Sequence, residues 1–194
     1  MKYDVILAGV GGQGVLSVAS IIARAAVSED LEVRQGEVHG MAQRGGAVLA
    51  HLRISDKNIA SDLVPRGGAD LIISMEPLES LRYVQYLKQD GMLLTAAEPF
   101  KNIPDYPDIE EVYSTIKKLP NWKIIQSAAL AKEAGLLKTV NTVMVGAASC
   151  FLPLNEKSIE KIIAQSFAKK EESVVAANTK AFKLGQESVK KDRQ

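Results

Sequence analysis

Six residues, Gly9-Val10-Gly11-Gly12-Gln13-Gly14, separate an unbroken apolar run, Val5 to Ala8, from a stretch in which Val15, Val18, Ala19, Ile22 and Ala26 recur at helical spacing. Strand, glycine turn and helix in that order are the opening unit of a layered α/β fold. Gly9, Gly11 and Gly14 fall on the three glycine positions of the dinucleotide-binding pattern. Glycines there allow a tight turn and let backbone N–H groups approach an anion, which the positive end of the following helix also favours. A phosphate or carboxylate at this turn is physically allowed. So is a purely structural use of the glycines in packing strand against helix.

The rest of the chain continues the pattern. Strands are expected over Glu32 to Val38, Ala47 to Ile54, Asp70 to Met75, Gly91 to Thr95 and Lys123 to Gln126, with helices over Pro77 to Lys88 and Ser127 to Ala134. Three prolines in Glu98 to Pro107 predict an irregular surface connection, not a domain boundary. Val140 to Leu152 is apolar on nearly every face and reads as a buried helix. Two amphipathic helices follow, Asn155 to Lys170, with Asn155 as its cap, and Glu172 to Lys190. The 194 residues are expected to form one domain, 1–194, in which about 155–190 make a helical extension.

Composition narrows the function. Lys and Arg number 24 against 23 Asp and Glu, so the net charge of +1 gives no general reason to expect nucleic acid or a membrane surface as partner. The single cysteine, Cys150, cannot ligate an iron–sulfur cluster alone and offers no paired zinc spacing, so no metal site is expected in this chain. Cys150 itself reads as a buried small residue. Met1-Lys2-Tyr3-Asp4 runs straight into a strand pattern, and no stretch approaches the ~20 apolar residues that span a bilayer. A cytoplasmic location is the expectation.

Nicotinamide binding would also need an acidic residue near the end of the second strand. Glu37, 23 residues past Gly14, stands near that distance. It begins a second unusual run, Glu37-Val38-His39-Gly40-Met41-Ala42-Gln43-Arg44-Gly45-Gly46, which a plain dehydrogenase does not need. Together with Gly11 to Gly14 and Ala69-Asp70-Leu71-Ile72, this run resembles the gamma-type domain of 2-oxoacid:ferredoxin oxidoreductases, and most of all the beta subunit of the indolepyruvate subfamily. The likeness covers roughly residues 3 to 96 and resumes at Asn141 to Gly146. It departs at Ser28-Glu29-Asp30, where relatives commonly carry glycine.

The resemblance implies a single Rossmann-like three-layer domain with a mostly parallel sheet. It implies a non-autonomous subunit assisting oxidative decarboxylation of aryl pyruvates to acyl-CoA. A large alpha subunit would hold thiamine diphosphate, magnesium and [4Fe–4S] clusters and pass electrons to ferredoxin, with coenzyme A as co-substrate and no cofactor bound by this chain alone. Arg44, between Gln43 and the flexible Gly45-Gly46, can offer a planar fork of donors to a 2-oxoacid carboxylate, a coenzyme A phosphate or a partner carboxylate, or form an internal salt bridge. His39 is the one candidate catalytic residue, as a proton donor near the thiamine, or else a hydrogen-bonding group of the loop or interface. Gly11, Gly12, Gln13, Gly14, Gly45 and Gly46 complete the expected substrate, coenzyme or interface site. Gln13 could touch a ligand or only satisfy the turn. Met41 reads as a packing contact to the partner, and His51, within a strand, as a histidine without a site role. The competing readings are a subunit acting on pyruvate or ketoisovalerate, a stand-alone NAD(P)-dependent dehydrogenase, and a pure interaction module.

Overall fold

The computed structural model describes residues 1–39, 45–101 and 103–191, with nothing stated of the side chain of His39. Six strands form one sheet in the order β2-β3-β1-β4-β5-β6: β1 (Lys2–Val10), β2 (Glu32–His39), β3 (Ala47–Ser55), β4 (Ala69–Ser74), β5 (Leu87–Ala96) and β6 (Trp122–Ile125). β1, β4, β5 and β6 pair in parallel, while β3 is antiparallel to both β1 and β2. Only β3 therefore runs against the rest. The sheet is mostly parallel by strand direction, but an antiparallel strand sits between β1 and β2, where a plain dinucleotide fold would pair those two directly.

One face of the sheet is covered by α1 (Val15–Val27), α5 (Val140–Ser149), α6 (Glu156–Phe167) and α7 (Glu172–Lys190). Their core includes Val18, Ile22, Met144, Ile159 and Phe182 against Leu7, Leu52, Ile54 and Ile73. The other face is covered by α2 (Pro77–Arg82) and α3 (Ile109–Ile116), through Leu78, Leu81, Val112 and Ile116 against Ile6, Leu49, Ile72 and Leu93. The central strands are buried on both sides, which is why their sequences are continuously apolar instead of alternating. α4 (Ser127–Glu133) sits beside α5 and α7.

α5 and α7 approach backbone to backbone. A Cβ at Gly146 would lie 2.1 Å from the carbonyl oxygen of Phe182, and one at Gly185 would lie 2.1 Å from that of Val143. Two glycines facing each other's helix thus let α7 lie flat on the buried helix. α6 and α7 belong to the helical layer itself, with α6 against α1 and Asn155 capping α6 by accepting from the Lys157 N–H at 2.9 Å.

One expectation is corrected. The helix expected over Pro77 to Lys88 ends at Arg82: Tyr83 leaves helical geometry (φ −113°, ψ 9°), a 3-10 turn spans Val84–Tyr86, and Leu87 starts β5. Leu87 pairs with Ala69, and Lys88 forms an ion pair with Asp70, so tertiary pairing takes these residues from the helix. α3 is an addition to the expected elements: Asp108, which caps it by accepting from the Glu110 N–H at 2.8 Å, and the spacing of Ile109, Val112 and Ile116 both signal it. Glu98 to Pro107 contains no helix or strand among its described residues.

Candidate functional site at the carboxyl edge of the sheet

The glycine turn lies at the carboxyl end of β1, between α1 on one face and the α2 side of the sheet on the other. This is the switch point at which open α/β sheets bind ligands. The Gln13 side chain occupies the gap: its Oε1 accepts from the Val10 N–H at 2.8 Å, and its Nε2 donates to the Met75 carbonyl at 3.2 Å. Gln13 thereby ties the ends of β1 and β4 together. Gly14 caps α1 in the left-handed region (φ 76°, ψ 29°), and no side chain caps that helix. Its uncapped N–H groups and positive end are left to the turn.

The turn and the second motif meet in space. The Gly11 N–H donates to the Gly46 carbonyl at 2.8 Å, and the Gly45 N–H to the Gly11 carbonyl at 3.3 Å. Gly11 and Gly45-Gly46, far apart in sequence, form a reciprocal backbone pair, and β1 and β3 continue it in register from Val10↔Ala47 onward. Gly40 to Arg44, including Met41, lie outside the described residues, as does the His39 side chain; the backbone of His39 ends β2 opposite Val48. A cleft of about 300 Å³ beside the turn is lined by Val10, Gly11, Gly12, Val15, Leu16 and Val48.

A second cleft, of about 250 Å³, opens on the other side of Gln13, with Met75, Phe100, Ser127, Val140 and Asn141 among its walls. Three details build it. Asn141, at the start of α5, reaches Gly14, whose carbonyl accepts from Asn141 Nδ2 at 3.4 Å. Glu98 caps α4, accepting from Ser127 Oγ at 2.6 Å and the Ala128 N–H at 2.7 Å. Buried Glu76 caps α2 through the Glu79 N–H at 2.7 Å, while its other oxygen accepts from the Phe100 N–H at 3.3 Å and from the Tyr106 hydroxyl. Glu76 thus pins the 98–107 connection to the sheet. Burial, then the hydrogen bond to Glu76, push the Tyr106 phenol above its ordinary range, so it stays a donor. Glu79 is also buried; desolvation raises its pKa, partly opposed by the bond from Arg82 Nε at 2.9 Å.

Glu76 and Glu98 are site-building residues that motif reading passed over. Asn141 opens the stretch in which the family resemblance resumes, and its reach to Gly14 is visible only in the folded chain. Glu37, the acidic residue weighed for a ribose, is placed on β2, with β3 between it and the turn strand, and accepts a hydrogen bond from Gln35 Nε2. Two strand spacings, roughly 10 Å, separate β2 from β1. That geometry does not favour the dehydrogenase reading. Cys150 caps α5, half-buried, with its Sγ 3.8 Å from the Gln186 carbonyl. Among the described residues no group of three or more His, Cys, Asp or Glu side chains could hold a metal ion, and no helix is long and apolar enough to cross a membrane.

Comparison with known proteins follows the same lines. The chain is 38% identical to the indolepyruvate oxidoreductase subunit IorB of Pyrococcus horikoshii, over 97% of this chain and 96% of that one. It is 28% identical to the 2-oxoglutarate synthase subunit KorC of Methanocaldococcus jannaschii, over 96% of each. Its fold superposes on the gamma subunit of a keto/oxoacid ferredoxin oxidoreductase from Geobacter sulfurreducens with a TM-score of 0.73 at 24% identity, covering 98% of both chains. It also superposes, with a TM-score of 0.77 at 22% identity, on 31% of a chain of the Magnetococcus marinus 2-oxoglutarate:ferredoxin oxidoreductase, while covering 98% of this one. Residues 4–188 match the family model for pyruvate ferredoxin/flavodoxin oxidoreductase, and the chain belongs to that family.

Proposed function

We propose that this chain is the small, beta-type subunit of an indolepyruvate:ferredoxin oxidoreductase, a one-domain protein, 1–194, working in the cytoplasm with a larger alpha subunit. The complex would convert aryl pyruvates and coenzyme A to acyl-CoA and carbon dioxide, passing the electrons to ferredoxin. End-to-end similarity to indolepyruvate oxidoreductase subunits supports the substrate class. The reciprocal pairing of Gly11 with Gly45 and Gly46 carries the site, because it brings both motifs to one patch of the carboxyl edge.

One cysteine does not fit a [4Fe–4S] cluster, so thiamine diphosphate, magnesium and clusters are assigned to the partner. In this reading the uncapped start of α1, at Gly12 and Gly14, offers backbone N–H groups to an anionic group such as a coenzyme A phosphate, the Gln13 N–H being used by the Val10 carbonyl. Arg44 adds a bidentate cation for a carboxylate or phosphate. Gln13 holds the turn in shape, since both ends of its amide serve the backbone. His39, whose backbone ends β2, is assigned the role of a hydrogen-bonding or proton-donating group.

The test is anaerobic co-purification with the alpha subunit, followed by indolepyruvate- and coenzyme-A-dependent reduction of a viologen dye, with Arg44→Ala compared to the parent. Loss of turnover from an intact complex makes Arg44 a ligand-binding residue, and loss of the complex makes it a docking residue. A chain that purifies alone and binds NAD tightly sinks the proposal.

A further inference from the structure

His51 lies in the middle of β3 on the α2 side of the sheet and is 3% exposed. Its Nδ1 accepts from the Val64 N–H at 3.1 Å, and its ring stands edge-to-face on Tyr86, with centroids 5.4 Å apart and planes at 84°. An Nδ1 that accepts carries no proton, so the neutral Nε2–H tautomer is the form this contact selects. Two residues on, Arg53 faces the same way. Its Nη1 donates to the Ser61 and Leu63 carbonyls at 2.9 and 3.0 Å, and Asp4 holds the guanidinium at 2.8 and 3.2 Å.

The connection between β3 and β4, residues 56–68, is therefore held by two neighbours on one strand, one donating and one accepting. It lies against β2: Leu63 Cδ2 would be 3.2 Å from a Cβ at Gly36, the residue paired with His51. Leu63 and Val38 are both exposed large apolar residues, at 55% and 54%, and Val38 directly precedes His39 and the loop that carries Arg44.

We infer that His51 is a proton-operated latch on the 56–68 connection. Protonating Nδ1 turns the acceptor into a donor facing the Val64 N–H, so the hydrogen bond is replaced by an opposed pair of N–H groups in a buried site. The cation beside the imidazole works in the same direction. Arg53 on β3 disfavours a second positive charge, its field reduced by Asp4 on β1. Opposite Arg53 on β2 stands Arg34, paired with Glu32; the connection contributes Asp62 over Gly36, and the 3-10 turn contributes the ring of Tyr86. Burial and then Arg53 hold the His51 pKa below its usual 6.5. The histidine is thus neutral in the latched form, and the latch weakens as pH falls below the usual imidazole value of 6.5. Opening loosens the connection at Val64, while Arg53 still holds the Leu63 carbonyl, and changes how the Leu63 side chain packs on Gly36 of β2.

The experiment is a pH series on the full chain, reading the His51 ring nitrogens by long-range 1H–15N NMR and the Val64 amide by hydrogen exchange normalised to its intrinsic rate. Val64 protection should fall about tenfold per pH unit between 6.5 and the folded-state pKa of His51, while the Leu7 amide in β1 keeps its protection. His51→Asn places a non-titrating oxygen near the Nδ1 position and should hold Val64 protection level with pH. The inference is overturned if His51 titrates at or above 6.5, if Val64 protection in the parent is flat with pH, or if the pH dependence survives in His51→Asn. Should the variant fail to fold, the titration of the parent decides alone.

Discussion

Replacing Gly14 by Ala tests whether the glycine turn and the buried helix α5 are one unit. Two terms oppose the change. Gly14 has φ 76°, where an L side chain costs about 1 kcal/mol or slightly more. The new Cβ would also lie 2.1 Å from Asn141 Nδ2 and 3.2 Å from its Cγ, so the amide must leave. Forcing that side chain from its rotamer costs about 1 kcal/mol, and giving up its long 3.4 Å bond to the Gly14 carbonyl costs about 0.5 kcal/mol. Gly14→Ala should therefore destabilise by about 2.5 kcal/mol. Asn141→Ala alone should cost about 0.5 to 1 kcal/mol. In the double variant the clash is gone and only the backbone penalty and the missing amide remain, about 1.5 to 2 kcal/mol, so the two changes are sub-additive by about 1.5 kcal/mol. Urea unfolding followed by far-UV circular dichroism measures all four corners of the cycle, with a shift of the midpoint of about 1 M for Gly14→Ala at unchanged slope. Additivity within about 0.5 kcal/mol would mean that Asn141 does not sense the turn, and the reasoning would be wrong.

Gly146→Ala meets the backbone of α7 instead of a movable side chain, 2.1 Å from the Phe182 carbonyl, and should lose about 3 kcal/mol in urea melts even after Ala's helix propensity is credited. Asp30 has φ 59°, the one positive φ at a non-glycine among the described residues, in the turn where glycine was expected. Asp30→Gly should stabilise by about 0.5 to 1 kcal/mol, a rise of about 2 °C in Tm by calorimetry, and Asp30→Ala should not. Arg53→Met removes the buried partner of Asp4, leaving it the exposed Lys2 at 3.2 Å, and takes the donor from the Ser61 and Leu63 carbonyls; a loss of about 3 kcal/mol in chemical unfolding is expected, part of it recovered by adding Asp4→Asn.

Local signals in the chain were sufficient for much of this protein. The apolar run of β1, the glycines after it and the helical spacing of α1 each depend on neighbours a few residues away, so they survive any arrangement of the rest. The same holds for Asn155 as a cap and for the loop motif ending in Arg44-Gly45-Gly46, on which the family resemblance rests. Helix α3 is equally legible from Asp108 and its apolar spacing, both of them local signals.

Strand order was not legible, because period-two and period-3.6 patterns say which face is buried but not which strand lies beside it. Only the folded sheet places β3 between β1 and β2, which moves Glu37 away from the glycine turn and brings Gly46 onto Gly11. Long-range contact also decided where α2 stops, since Leu87 gains more from pairing with β4 than from another helical turn. The functional readings of Gln13 and His51 changed for the same reason. A side chain's partners are set by what the tertiary structure leaves unpaired nearby: the Val10 N–H and Met75 carbonyl for Gln13, and the Val64 N–H for His51.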